Sequence, residues 1–236
     1  MDKGIYVALS GAVLQERRME VLTDNLANVN TTGYKGQKPL FEASLPDQFR
    51  IRNFGRLGEV ATDYTQGVLQ KTERKLDFAV RGDGFFVVET PTGKGYTRDG
   101  SFTVGTGGEL LTREGYAVLG ENGPVKLEPG EVTVDALGKL NSGGKTLGAL
   151  RLGTFSDLTV LRREGNVYKA APGATELPVS PNTQVEQGYI ETSNVNAVRA
   201  MTTMIEAQRS YETHSKMIQS IDDLTRKSID EVGRAS

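Results

Sequence analysis

The chain has 236 residues, enough to bury a substantial core in one or two domains. Its 28 basic and 30 acidic side chains nearly balance, which excludes the overall positive field expected of a protein that binds nucleic acid or acidic membranes. Cysteine is absent, which excludes disulfides, thiolate metal sites and cysteine nucleophiles.

Apolar residues near the N-terminus recur at steps of three and four, which predicts an amphipathic helix from about Lys3 to Asn28. Asp2 is a candidate N-cap, and Asn28, Asn30 and Gly33 can adopt the left-handed conformations that end a helix. We therefore assign residues 1–33 to an N-terminal helical segment. Its stripe consists of Ile5, Leu9, Ala12, Met19, Leu22, Leu26 and Val29.

The beginning of this helix is also a short apolar run, from Ile5 to Leu14. It is shorter than the ~18–20 residues of a membrane span, and Glu16-Arg17-Arg18 follows it at once. The helical stripe continues beyond the run. We therefore expect neither a cleaved signal peptide nor membrane insertion.

The middle of the chain is punctuated by glycine and proline. Residues 34–75 are predicted to form an extended connecting region, with at most a short helix. From Leu76 the period changes to two, and short apolar runs are separated by Asp99-Gly100, Gly107-Gly108, Glu114-Gly115 and Asn122-Gly123. This pattern predicts a mostly antiparallel central β-domain over residues 76–175.

Prolines and glycines then predict a return loop over residues 176–193. A C-terminal helical segment follows over residues 194–236, with Asn194 or Asn196 as N-cap and an end near Val232. Its apolar stripe consists of Val198, Met201, Met204, Ile205, Tyr211, Ile218, Ile221 and Leu224.

The predicted fold class is α+β, with long N- and C-terminal helices that pair as a coiled-coil-like stalk beside the β-domain. Two such helices can pair only if the chain returns to its start. Polar residues such as Gln15 and Gln208 lie near the stripes, and polar groups in a seam weaken an isolated pair while fixing its register. We therefore expect the terminal helices to be weakly ordered in the free monomer and to become firm on polymerisation.

Three segments carry a more specific pattern. The first is Asp24-Asn25-Leu26-Ala27-Asn28-Val29-Asn30-Thr31-Thr32-Gly33-Tyr34-Lys35. The second runs from Leu76 through Gly82-Asp83-Gly84-Phe85-Phe86 to Tyr96-Thr97-Arg98-Asp99-Gly100-Ser101-Phe102. The third joins Glu191-Thr192-Ser193-Asn194-Val195-Asn196 to Met204-Ile205-Glu206-Ala207-Gln208-Arg209-Ser210-Tyr211-Glu212.

These segments, in this order, resemble the signatures of the flagellar axial family of rod and hook proteins, although Asp24 stands where the family usually has Asn. The opening residues from Met1 to Ala12 are most similar to the proximal rod type. The distal rod type is the alternative, and the length leaves no room for the outer domains of the hook type. The family motif contributes these candidate assembly residues: Asn25, Leu26, Ala27, Asn28, Gly33, Tyr34, Lys35, Gly82, Gly84, Phe85, Phe86, Ser193, Asn194, Val195, Asn196, Gln208, Arg209 and Tyr211.

The resemblance implies a structural subunit of the bacterial flagellar basal-body rod. Such a subunit would assemble through its terminal helices, transmit torque across the periplasm, and be exported without a cleaved signal peptide. Its implied partners are copies of itself, homologous rod subunits and the flagellar export apparatus. The resemblance also implies that the protein binds no nucleic acid, small-molecule substrate, cofactor or metal.

Two other classes of function remain open from the residues alone. A secreted binding or adhesion module would present the β-domain on a helical stalk. An enzyme would have to use carboxylates such as Asp77, Asp83 and Asp99, each of which a turn or strand already explains. His214 is the only histidine and has no partner at metal-ligand or triad spacing, so a packing role is expected.

Overall fold

The computed structural model describes residues 2–41, 57–128, 130–143 and 145–234. These residues form two compact units. Unit 1 combines Met1–Ala27, Gln37–Asp63 and Val195–Ser236, and unit 2 combines Asn28–Gly36 and Tyr64–Asn194. Each unit is thus assembled from separate parts of the chain, and the two chain ends belong to the same unit.

Unit 1 contains two long helices and a two-stranded sheet. The helices are α1 (Asp2–Ala27) and α2 (Ala197–Arg234). The strands β1 (Gln37–Phe41) and β2 (Leu57–Thr62) pair antiparallel. The predicted terminal helices are confirmed, and no helix in the described part of the chain has the length and apolarity needed to cross a membrane. The predicted connecting region contains β1 and β2, and its residues 42–56 lie outside the described residues.

The N-cap of α2 is Asn196, one of the two residues predicted for it. Its Oδ1 accepts a hydrogen bond from the backbone N–H of Arg199, at 2.9 Å. This bond satisfies one of the four N–H groups that the first turn of a helix leaves without an internal partner. Asn194, the other candidate, forms hydrogen bonds with Gly36 and Thr65 in unit 2.

The two helices pack antiparallel through small side chains. Gly4 of α1 lies against Ile221 of α2, and Gly11 lies against the ring of His214. The predicted apolar stripes were only partly correct. Ala12 is buried, but Leu9 on α1 and Val198 on α2 are exposed. Small residues take the buried positions because they allow the two helices to approach closely.

Unit 2 is built from short strands and one short 3₁₀ helix, Leu158–Val160. The strands are β3 (Leu69–Lys71), β4 (Phe78–Arg81), β5 (Phe85–Thr90), β6 (Gly93–Thr97), β7 (Thr103–Val104), β8 (Leu110–Leu111), β9 (Ala117–Gly120), β10 (Gly123–Pro124), β11 (Val132–Val134), β12 (Lys139–Ser142), β13 (Lys145–Ala149), β14 (Leu152–Gly153), β15 (Leu161–Glu164), β16 (Val167–Ala170), β17 (Gln184–Gln187) and β18 (Tyr189–Glu191).

The largest sheet has the order β15-β16-β6-β5-β9-β8-β7, with β10 beside β9 and β14 beside β5. A second sheet has the order β11-β12-β13, and the two remaining pairs are β4 with β17 and β3 with β18. Within the described ranges, the paired strands of unit 2 are all antiparallel. The predicted antiparallel β-domain is therefore confirmed.

The core of unit 2 lies on both faces of β5. Phe86 and Val88 point into one apolar cluster with Phe78 and Phe102, whereas Phe85 and Val87 point into a second cluster. Alternate residues of a strand face opposite sides, so β5 is buried on both faces. This explains its continuous run Phe85-Phe86-Val87-Val88.

Several elements of unit 2 differ from the sequence-based prediction. The stretch predicted as a return loop contains β17 and β18, which pair with β4 and β3. Only Val185 and Glu191 are buried in these two strands. Their polar sequences lack the alternation that would have revealed them, and their partners lie far away in the chain.

Gly100 has a different role from the hairpin turn predicted for Asp99-Gly100. Its φ is not in the left-handed region, and its carbonyl accepts a hydrogen bond from the N–H of Phe78, at 2.9 Å. A Cβ at this position would lie 1.7 Å from the carbonyl oxygen of Phe78. Glycine is therefore required here by a close approach of two backbones.

We predict that Gly100→Ala lowers the free energy of unfolding of unit 2 by several kcal/mol, because one of the two backbones must move. Gly93→Ala is the matched control. Its φ is +116°, but its Cβ would meet no atom within 4 Å, so its loss is limited to backbone strain of about 1–2 kcal/mol. Urea unfolding followed by tyrosine fluorescence measures both, and equal losses would contradict this explanation of Gly100.

Candidate functional site

Lys35, from the first motif, is one of the most deeply buried charged residues in the described part of the chain. Its side chain is 0% exposed, and its Nζ donates to Oε1 of Glu191, which is 1% exposed, at 2.5 Å. The same ammonium donates to the carbonyl of Thr65, at 2.8 Å. A buried charge is tolerated only when it is paired and hydrogen-bonded in this way.

Glu191 is the centre of the arrangement. Its Oε1 also accepts from the backbone N–H of Gly67, at 2.8 Å, and its Oε2 accepts from Nη1 of Arg98, at 3.2 Å. Its backbone carbonyl accepts from the N–H of Gly33, at 2.7 Å. One residue thus joins its own segment to three others in unit 2, those of Gly33 and Lys35, of Gly67 and of Arg98. We call Lys35, Arg98 and Glu191 the buried ion cluster.

Arg98 connects this cluster to the β-structure. Its guanidinium donates to the carbonyls of Val80 and Gly82 and lies 5.2 Å from the centre of the Phe85 ring. Burial lowers the pKa of Arg98, while the carboxylates of Glu191 and Asp83 act in the opposite direction. The cation is therefore retained by its partners at a position where water contributes little.

Gly33 and Tyr34 place the incoming chain against the same region. Gly33 has φ +70°, and a Cβ there would lie 2.3 Å from the backbone nitrogen of Asp99. Tyr34 is buried, and the guanidinium carbon of Arg163 lies 4.1 Å from its ring centre. The turn before Lys35 is thus held by a backbone approach that only glycine allows and by a cation–π contact.

Asn194 fixes the outgoing chain beside the incoming one. Its Oδ1 accepts from the N–H of Gly36, at 2.7 Å, and its Nδ2 donates to the carbonyl and the hydroxyl of Thr65, each at 3.1 Å. Together with Lys35 and Glu191, it ties the segment that enters unit 2 to the segment that leaves it. The site therefore joins these two segments through hydrogen bonds and a buried ion pair.

Asn25 performs a comparable task within unit 1. Its Nδ2 donates to the carbonyl of Gln37, at 2.7 Å, and its Oδ1 accepts from the N–H of the same residue, at 2.8 Å. The amide thus satisfies both backbone groups of the first residue of β1. This bond pair attaches the end of α1 to the start of β1.

The other candidate residues lie in several different places. Gly82 and Gly84 have φ +100° and +122° and flank the turn before β5, and Phe85 and Phe86 are buried beyond it. Ser193 is buried in unit 2, whereas Val195 and the N-cap Asn196 belong to unit 1. The remaining candidates are on or next to the helices, from half-buried to exposed: Leu26, Ala27, Asn28, Gln208, Arg209 and Tyr211.

The structure adds two residues to the predicted site, Arg98 and Glu191. Both stand in the segments that carry the family resemblance, but neither was singled out. The charge of Lys35 was the one signal that could have pointed to Glu191, because a buried lysine needs an anionic partner. Nothing in the sequence indicated that Lys35 is buried, so the pairing could not be derived from it.

The contacts of Asp77 and Asp99, two of the carboxylates considered for catalysis, are hydrogen bonds and ion pairs with neighbouring residues. Burial raises the pKa of Asp99, although hydrogen bonds from the hydroxyl and N–H of Ser101 counteract it. Asp77 is buried and forms an ion pair with Arg74, whereas Asp83 is exposed. Among the described residues, no group of three or more potential ligands could hold a metal ion.

Comparison with protein families assigns a class to this architecture. A family model described as flagella basal body rod protein matches residues 5–35, which cover most of α1 and the first motif. The flagellar hook protein FlgE/F/G D1 domain matches residues 79–146, and the C-terminal domain of the flagellar basal body rod FlgEFG proteins matches residues 186–231. The three matches together span both units and define an axial protein of the flagellum.

Similar proteins extend over the whole chain. The flagellar basal-body rod protein FlgF of Caulobacter vibrioides is 34% identical over 249 aligned residues, which cover 99% of each chain. FlgF of Escherichia coli is 36% identical over 244 residues, covering 94% of this chain and 95% of the relative. The basal-body rod protein FlgG of Buchnera aphidicola from Schizaphis graminum is 30% identical over 259 residues, covering 96% and 98%.

The chain therefore belongs to the flagellar basal-body rod protein family, with relatives of the FlgF type matched over nearly their full length. It is a structural subunit of the rod in the flagellar basal body, not an enzyme, and it interacts with other rod subunits.

We predict that Glu191→Ala lowers the free energy of unfolding of unit 2 by about 3–5 kcal/mol, because Lys35 and Arg98 would remain buried without their carboxylate. Glu186→Ala is the matched control. Its carboxylate pairs with Arg81, whose side chain is 59% exposed, so a loss of about 0–1 kcal/mol is expected. Chemical denaturation measures both variants. Similar losses would show that burial of the cluster has no special energetic weight.

Proposed function

We propose that the chain is the proximal rod subunit, that it assembles with copies of itself and with homologous rod subunits through its terminal helices, and that it transmits torque across the periplasm. One observation carries this proposal. Unit 1 exposes large apolar side chains along both helices, although each helix already packs against the other. On α1 these are Tyr6, Val7, Leu9 and Val13, and on α2 they include Val198, Met201, Ile205, Met217 and Leu224.

A soluble monomer rarely leaves apolar surface of this extent uncovered unless another protein covers it. From Gly4 to Gln15, α1 carries no charged residue, and a helix that is apolar on all sides is a helix that becomes buried. Among the described residues, the contact with α2 leaves Tyr6, Val7, Leu9 and Val13 exposed. Neighbouring subunits therefore supply the remaining cover.

The pairing of α1 with α2 is coiled-coil-like in this proposal. Ala200, Ala207, His214 and Ile221 recur every seven residues, and the buried or half-buried state of each supports a heptad seam. On α1, Gly4, Ala8 and Gly11 occupy the opposing positions. Small residues in such a seam bring the helix axes close together and fix the register through a few larger side chains.

The buried ion cluster supports the transmission of torque. A rod under load applies force to the segments that connect its axial helices to its outer domain. In this chain both of those segments, around Lys35 and around Glu191, are joined by an ion pair that is nearly inaccessible to water. Such a pair is screened little by salt, so the connection is firm in the ionic conditions of the periplasm.

We further propose that the chain leaves the cell through the flagellar export apparatus without cleavage of a signal peptide. The apolar run from Ile5 to Leu14 is part of α1, and its Ala8 and Ala12 are buried in unit 1. Cleavage behind this run would remove Gly4 and Gly11, which lie against Ile221 and His214 of α2. The N-terminal residues are thus needed in the assembled protein.

The distal rod type is a second candidate, favoured by the FlgG relatives at 30–32% identity. The two types differ in their position along the rod. Electron microscopy of basal bodies from a strain that lacks the gene distinguishes them. A rod that stops close to the inner membrane supports the proximal assignment, and a longer rod that lacks only its outer part supports the distal one.

The helix pairing gives a prediction in which the sign of an effect reverses. A Cβ on Gly11 would lie 2.5–2.8 Å from three ring atoms of His214. Overpacking of this kind costs about 1–3 kcal/mol of stability, so Gly11→Ala should lower the melting temperature of the helices. In a His214→Ala background the same change should be neutral or stabilising, because alanine favours a helix over glycine by about 1 kcal/mol. Far-ultraviolet circular dichroism measures all four chains.

The assembly role gives a second prediction. Ile218→Ala or Leu26→Ala should block incorporation into rods and abolish swimming, because removal of a large apolar side chain typically costs ~2–5 kcal/mol. Unit 2 should stay folded in both variants. Leu137→Ala is the control, since Leu137 is a large exposed apolar residue of unit 2. Normal rods and swimming in both helix variants would contradict assembly through the terminal helices.

A further inference from the structure

A groove lies between the two helices of unit 1, near the start of α1. It encloses about 820 Å³ and is lined mainly by Gly4, Val7, Ala8, Met217 and Ile221. The groove exists because Gly4 and Ala8 are small, so the surface of α1 is hollow beside the larger side chains of α2. Lys216 is the charged residue in its lining.

A ridge of apolar side chains lies on the first turns of α2. Val198, Met201 and Ile205 are 75%, 50% and 53% exposed, and their spacing places them along one side of the helix. At about 100° per residue, this side is turned about 140° away from Ala200 and Ala207, which face α1. Among the described residues of unit 1, the ridge is therefore left largely exposed.

The two surfaces match each other in kind. Side chains at positions i, i+3 and i+7 are the anchors by which a helix binds in an apolar groove. The line of the ridge continues along α2 to Glu212, whose charge is opposite to that of Lys216 in the groove. The centres of ridge and groove lie about 24 Å apart along α2, so one chain cannot fill its own groove with its own ridge.

We propose that the groove at Gly4, Val7 and Met217 binds the ridge of Val198, Met201 and Ile205 from a second copy of this chain, head to tail. This inference rests on the proposed self-assembly and names the surfaces that perform it. Two different patches of one molecule that bind each other form a heterologous contact, which propagates from copy to copy instead of closing into a pair. Such a contact suits a subunit that builds a rod.

The absence of cysteine makes this contact directly testable. Two purified full-length chains, one carrying Ile205→Cys and the other Met217→Cys, are mixed and oxidised with copper phenanthroline. We expect a disulfide-linked dimer of the two variants on a non-reducing gel, with the linkage identified by mass spectrometry. Gln219→Cys replaces Met217→Cys in the control mixture, because Gln219 is exposed on α2 and turned away from the groove.

A chain that carries both Ile205→Cys and Met217→Cys tests the polarity of the contact. Head-to-tail binding predicts a ladder of covalent oligomers. A product that stops at the dimer would overturn the head-to-tail arrangement, and cross-linking no stronger than in the control mixture would overturn the contact itself.

The same variants are also expressed in a strain of the native bacterium from which the gene has been deleted. This experiment distinguishes a wrong contact from a wrong function. Rods that contain the chain and cross-link between positions 205 and 217 support the inference. Rods that contain the chain without this cross-link, or with a link from position 205 to a different protein, overturn it and leave the rod function intact. If the unsubstituted chain is expressed but complete rods contain no copy of it, both the proposed function and the inference are overturned.

Discussion

The carboxylate of Glu191 is the constraint on which the architecture of unit 2 depends. It binds the ammonium of Lys35, the guanidinium of Arg98 and the N–H of Gly67, while its own backbone carbonyl receives the N–H of Gly33. These bonds join segments that are far apart in the sequence. Removal of the Glu191 carboxylate would leave both Lys35 and Arg98 buried without their shared anion, so the segments through which the chain enters and leaves this unit depend on this one residue.

Unit 1 is stabilised in a different way from unit 2. There Gly4 and Gly11 of α1 lie against Ile221 and His214 of α2, while large apolar side chains such as Leu9, Val13 and Val198 are exposed. A helix pair of this kind gains little stability from burial on its own, since the area removed from water is small. In the proposed assembly, it gains the rest when its outer surfaces are covered by other subunits. That the terminal helices are weakly ordered in the free monomer and become firm on polymerisation thus stays a prediction.

Prediction from the sequence succeeded where local signals were strong. The 3.6-residue period identified both helices, and Asn196 was named as a possible N-cap because its side chain suits that position. Alternation and glycine turns revealed the antiparallel β-domain, whereas the polar sequences of β17 and β18 did not show that they are strands. The sequence analysis placed Leu9 and Val198 on the apolar stripes, but both side chains are exposed. The helical period does not show which apolar side of a helix faces its partner when the helix has more than one.

The sequence alone determined the helices, the antiparallel β-structure and the family resemblance, since each depends on residues that are near one another in the chain. Only the tertiary structure decided that Lys35 meets Glu191 and Arg98, that Gly100 is there for a close approach to Phe78, and that β17 and β18 pair with β4 and β3. These contacts join residues distant in sequence. Their physical basis is burial of charge and close approach of backbones, and neither property is encoded in the local order of residue types.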